Sequence, residues 1–139
     1  MRVVTLDSWD KAQVVVTHGV WGGSHNHFTG WKAGETVVVL VGREGVVTGD
    51  VSGPAYRSNL MVWDNDVYEW RIPLAGLVLA KDGTGRRLNA NVRDVLRHHY
   101  GGATYGYVIQ NGERLGDEPE SRIRELLRGP TNAGQSERA

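Results

Sequence analysis

The run Glu35-Thr36-Val37-Val38-Val39-Leu40-Val41 constrains this chain more than any other stretch. Consecutive β-branched and aliphatic residues suit a strand shielded from water. Gly42-Arg43-Glu44-Gly45 follows, a tight connection with glycine at both ends, and Val46 to Val51 returns as the second arm of a hairpin. With 139 residues the chain has room for one domain around that hairpin and little for a second.

The remaining elements are placed around it. Arg2 to Leu6 predicts a short strand. Asp7 or Ser8 can cap a helix over Trp9 to Thr17, because their side-chain oxygens accept orphan backbone N–H groups. His18 to Gly30 is polar and glycine-rich, which predicts a loop, and Ser52 to Asn65 is mostly loop as well. Asp66 to Leu79 predicts a long strand in which Pro73 marks a bulge or an edge. Lys81 to Gly85 reads as a turn, with Asn89 or Asn91 capping a helix from Val92 to Tyr100 that Gly101-Gly102 stops. Tyr105 to Gln110 is a strand candidate closed by Asn111-Gly112, and Glu118 to Arg128 is a helix. The domain therefore spans residues 1–128, and the polar residues 129–139 are expected to form a disordered tail. So many short strands with interspersed helices predict an α+β fold, a small curled β-barrel flanked by helices.

Composition removes several functions. There is no cysteine, so disulfides, zinc ribbons, thiolate nucleophiles and the Cys/His zinc site of nucleobase deaminases are excluded. No apolar run is long enough to cross a membrane, and the N-terminus lacks a signal peptide's apolar region, so the expectation is a cytoplasmic protein without a membrane partner. The formal net charge is zero. A protein that grips nucleic acid by its phosphates alone is basic, so any such contact must be short and locally charged. Five tryptophans and 19 glycines stand out against this neutral background.

The order of motifs points further. His18-Gly19-Val20-Trp21-Gly22-Gly23 precedes Trp31-Lys32-Ala33-Gly34-Glu35 and the apolar strand. Gly49-Asp50-Val51, Tyr56, Val62-Trp63 and Tyr68-Glu69-Trp70-Arg71-Ile72-Pro73-Leu74 follow. This order resembles EVE domains of the PUA-like superfamily and the related YTH domains over about residues 2–80. Ala33 and Glu35 stand where the family usually has proline and aspartate. The resemblance implies a PUA-like barrel with a pocket for one modified base. Its relatives include readers of 5-methylcytosine and 5-hydroxymethylcytosine in modification-dependent restriction, and readers of N6-methyladenine. It also implies Trp21 and Trp63 as the two walls of an aromatic cage. The partner is then nucleic acid, DNA or RNA, with a nuclease as a separate partner or a fused domain, and the chain acts as a monomer.

The chemistry of a flipped base fits these residues. A base offers two π faces and one polar edge. Stacking is worth roughly 1–3 kcal/mol per aromatic contact and extrusion from a duplex costs a few kcal/mol, so two walls about offset the flip. Tyr68 is a candidate third wall. Ser24, His25, Asn26, Asp64 and Asn65 are candidates for contacts to the base edge, and Arg57, Arg86, Arg87, Arg93 and Arg97 for phosphate, with Arg93 and Arg97 sharing a helix face. Trp9, Trp31 and Trp70 are expected in the core. The competing readings are an RNA-binding module indifferent to modification and a metal-dependent hydrolase using His18, His25, His27, His98 or His99. No HExxH pattern or nucleophile elbow supports the latter. The expectation is a binding module with no catalytic residue, metal or cofactor.

Overall fold

A computed structural model describes residues 1–23, 30–58 and 68–138, with side chains described as far as Arg128. Among these residues the chain runs β1 (Arg2–Leu6), α1 (Trp9–His18), β2 (Val20–Gly23), β3 (Thr36–Val41), β4 (Gly45–Val51), β5 (Tyr56–Arg57), β6 (Trp70–Ala80), α2 (Asp82–Tyr100), α3 (Tyr105–Asn111) and α4 (Asp117–Arg138). The strands form one strongly curled mixed sheet, a half-barrel, in the order β1-β3-β4-β6-β2, with β5 also paired to β6. Only the β1–β3 pairing is parallel among them. The architecture is α+β, and its curled sheet with flanking helices agrees with the expected class.

The apolar run of β3 has no polar side because both its faces are covered. Val37, Val39 and Val41 join an inner core with Val4, Ala12, Val15, Trp21, Trp31 and Ile72. Val38 and Leu40 join an outer core with Val3, Val46 and residues of α2, α3 and α4, among them Leu96, Val108 and Ile123. Each such side chain contributes about 1.5–3 kcal/mol relative to exposure. Helix α1 occupies the concave side. Ser8 accepts from the Lys11 N–H, as its N-cap position requires. Trp9 packs against Gly45 at one end, and Gly19 at the other accepts from the Leu74 N–H at 2.7 Å, so α1 runs alongside the second half of β6.

Strand β6 changes partners midway. Residues Trp70 to Pro73 pair with β2, and Leu74 to Ala80 pair with β4. A register shift between Thr48 and Asp50 and a positive φ of 64° at Gly76 accompany the change, and such irregularities bend a strand.

Several boundaries differ from the sequence expectation. Val20–Gly23 is a strand rather than part of a loop, because Gly22 and Gly23 lie beside the large Arg71 and Trp70, which supply the side chains the glycines lack. The expected turn at 81–85 is the first turn of α2. Gly85 serves packing: a Cβ there would lie 2.2 Å from the Ala80 carbonyl oxygen. Asn89 caps nothing; it is buried in mid-helix and donates to the carbonyls of Gly42 and Gly45. Tyr105–Asn111 is a helix, since Tyr105, Val108 and Ile109 fit a helical face as well as the expected strand, and short apolar runs do not separate the two periods. Gly112 then closes α3 with a φ of 60°. The short β5 falls in an expected loop. Helix α4 begins one residue before the expected start and its backbone continues to Arg138.

Glu35 joins three parts of the chain. It accepts from the Lys32 N–H at 2.6 Å and from Arg2, whose guanidinium also donates to the carbonyls of Gly30 and Gly112. Burial pushes the Glu35 carboxyl up, but the Lys32 N–H and Arg2 outweigh it and its pKa lies below the ordinary value. The pair's contribution is therefore present above the unfolded value of about 4.3 and is lost as pH falls through the lower folded value. In urea unfolding, Glu35→Gln should be less stable than the parent at pH 7, with the gap closing at low pH. A gap that widens on acidification would contradict this assignment. Gly85→Ala should destabilise by about 1–3 kcal/mol despite alanine's better helix propensity, because the backbone must shift. Gly83→Ala, whose Cβ would meet only the end of the Arg87 side chain at 3.6 Å, should be neutral or mildly stabilising.

Candidate nucleic-acid interface

Strands β2 and β5 both pair with the first residues of β6. Gly23 and Arg57 are each partners of Trp70, and Gly22 and Tyr56 are each partners of Arg71. The Ser58 N–H extends β5 by donating to the Glu69 carbonyl at 2.8 Å. Segments 24–29 and 59–67 therefore leave from neighbouring strand ends, and the second rejoins the described chain at Tyr68. The candidates Ser24, His25, Asn26, Trp63, Asp64 and Asn65 fall in these segments and lie outside the described residues. Their points of attachment share one rim.

Two described side chains give that rim its chemistry. Directly paired residues project to the same face of a sheet, so Arg57 and Trp70 lie side by side. The Arg57 guanidinium sits 5.4 Å from the centroid of the Trp70 ring, a cation–π arrangement, and pairs with the Glu69 carboxylate. Trp70 is half-buried rather than part of either core, which corrects the expectation for it. Tyr56 is 45% exposed one step along. Tyr68, the candidate third wall, is half-buried against the inner core, and its carbonyl accepts from the buried Arg71 at 2.8 Å. The signal for Trp70 was present in the sequence: once Val20–Gly23 is a strand, a side chain facing Gly23 is a rim residue.

Comparison with protein-family models, with curated proteins and with solved structures finds no match.

Trp21 is not in a loop. It lies on β2 and is 6% exposed, with its ring stacked on Trp31 at a centroid separation of 6.1 Å and an interplanar angle of 17°. Trp31 is buried as expected, and its indole N–H donates to the Gly112 carbonyl at 3.1 Å. Trp21 thus forms the inner core beneath the rim, on the same face of β2 as Gly23.

The structure separates the candidate phosphate contacts. Arg93 turns inward: its Nε donates to Asn89 and its Nη2 to the Gly42 carbonyl at 2.7 Å, holding the β3–β4 connection. Arg97 bonds Asp94 and lies against the Tyr105 ring, whose hydroxyl its hydrogen bond pushes below the ordinary tyrosine pKa. Arg86 and Arg87 are exposed near the start of α2, beside the Ala80 end of β6. Ten steps of strand separate that end from Trp70, a span of at most about 33 Å if straight. Of the five arginines, only Arg57 stands at the rim. His18 is exposed at the end of α1, and His98 and His99 are exposed on α2. Among the described residues no group of three or more histidines and carboxylates could hold a metal, and no helix is long and apolar enough to cross a membrane.

Because Trp21 is core, its removal tests stability. Trp21→Ala should destabilise by about 3–5 kcal/mol in urea unfolding. A loss under about 1 kcal/mol would mean that the stack with Trp31 does not hold the inner core together.

Proposed function

We propose that this chain is a nucleic-acid reader of the EVE and PUA-like kind that accepts one flipped, modified base at the rim formed by β2, β5 and β6. One observation carries the proposal: the strand register attaches both segments that bear the candidate base-contacting residues to a single row of strand ends around Trp70. The curled sheet with helices on its outside and the order of the sequence motifs support the same conclusion.

In this proposal Trp63 supplies one wall and Trp70 the second, with Trp21 beneath them as a rigid floor. Ser24, His25, Asn26, Asp64 and Asn65 supply the edge contacts that reject the wrong base. A buried methyl adds only about 0.8 kcal/mol by transfer alone, so selectivity depends on those edge contacts. Arg57 leaves the Trp70 face to meet a backbone phosphate. One cation at the site means a short phosphate contact, which fits a chain with no net charge. Modified DNA in a restriction system, with cleavage left to a nuclease, is the favoured setting, and an RNA reader would use the same rim.

The test is a fluorescence-anisotropy panel of modified and unmodified DNA and RNA oligonucleotides at fixed salt. Trp63→Ala should weaken the preferred modified oligonucleotide by at least about tenfold, the equivalent of one lost stacking contact, with far-UV circular dichroism unchanged. The proposal fails if the parent shows no preference for any modified oligonucleotide, or if Trp63→Ala and Trp70→Ala both bind like the parent.

A further inference from the structure

A second site lies on the outer face of the sheet, at the end of β6 away from the rim. Val46 pairs with Ala80 and Thr48 with Val78 across β4 and β6, so these four side chains project together from one face. Helix α2 meets this patch closely at its start, where a Cβ on Gly85 would come within 3.1 Å of the Gly45 Cα. Leu126 and Leu127 of α4 form the far wall. Between sheet and helices lies a cavity of about 440 Å³, open to solvent, and Val78 beside it is 62% exposed.

Helix α2 presents two stripes. Gly85, Asn89, Val92 and Leu96 are the buried one. Thr84, Arg87, Leu88 and Asn91 share a second face at helical spacing, and all four line the cavity. The first stripe is dry, whereas the second is exposed at Thr84, Arg87 and Asn91. This one carries a hydroxyl, a guanidinium and an amide. Among the described residues, the side chains of Thr48, Thr84, Arg87 and Asn91 make no hydrogen bond or ion pair, and no carboxylate lines the cavity.

We infer that this cavity binds a small amphipathic carboxylate with an aliphatic chain. Among the described residues the floor and walls are aliphatic and no aromatic ring lines them, so the cavity favours a flexible chain over a flat ring. The one guanidinium matches the two oxygens of a single carboxylate in a fork, whereas a doubly charged phosphate calls for more than one cation. Thr84 and Asn91, on the same helix face, supply further donors to the head group. The volume falls in the range of about 300–1,000 Å³ usual for small-ligand sites. The site is independent of the rim, since its ligand needs neither Trp63 nor Trp70.

The test titrates the full ¹⁵N-labelled chain with decanoate below its micelle concentration, with decanol and acetate as controls. Decanoate should shift the amides of Thr48, Val78 and the first three turns of α2, acetate should not, and decanol should bind about tenfold more weakly for want of the charged contact. Arg87→Gln, at an exposed position, should weaken decanoate about tenfold and leave decanol unchanged. Val78→Asn should weaken both. Equal binding of decanoate and decanol, an Arg87→Gln variant that binds decanoate like the parent, or shifts that fall outside the cavity would each overturn the assignment.

Discussion

The dryness of β3 on both faces is the constraint on which the rest of this structure depends. A strand with five consecutive apolar residues, Val37 to Val41, cannot leave either side to water, so the fold must supply two covers. Helix α1 and the curling strands β2 and β6 supply the inner one, and α2, α3 and α4 the outer. The sheet therefore has a concave side that is mostly filled and a convex side that carries helices. What remains for function is the periphery: the rim at the start of β6, and the gap that α2 and α4 leave near its end.

The hairpin of β3 and β4, the strand β1 and the capped helix α1 were legible because periodicity, capping and turn chemistry agreed there. Two of the differences share a cause. Glycine predicts irregular chain at 22–23 and at 83–85, but in the fold Gly22 and Gly23 continue a strand opposite Arg71 and Trp70, and Gly85 leaves room for the Ala80 carbonyl. That kind of glycine cannot be told from a turn glycine until its neighbour is known. The same misreading moved the tryptophans. With Val20–Gly23 paired to β6, Trp21 lies in the inner core and Trp70 is half-buried opposite Gly23. Trp31, which precedes a strand on either account, was placed correctly.

Charge balance also has a structural explanation. The formal net charge of the sequence is zero. In the fold, many charges are matched locally: Arg2 with Glu35, Arg57 with Glu69, Arg97 with Asp94, and Glu120 with both Arg124 and the N-terminal ammonium. The hydrogen bond from that ammonium, helped by Arg124, holds the Glu120 carboxyl below its ordinary pKa against the opposing effect of burial. Arg93 is spent on a backbone carbonyl. A broad electropositive surface is therefore not how this fold would attract a polyanion. Any recognition must come from a few well-placed groups.

The row Gly23–Trp70–Arg57 has a consequence for how such a protein can change over evolutionary time. Segments 24–29 and 59–67 both join the described chain next to this row, while the buried pair Trp21 and Ile72 lies two residues further along β2 and β6. A change that unpairs this row would reach Trp21 and Ile72, the next buried pair on the same face, so divergence at the row is constrained by the packing beside it.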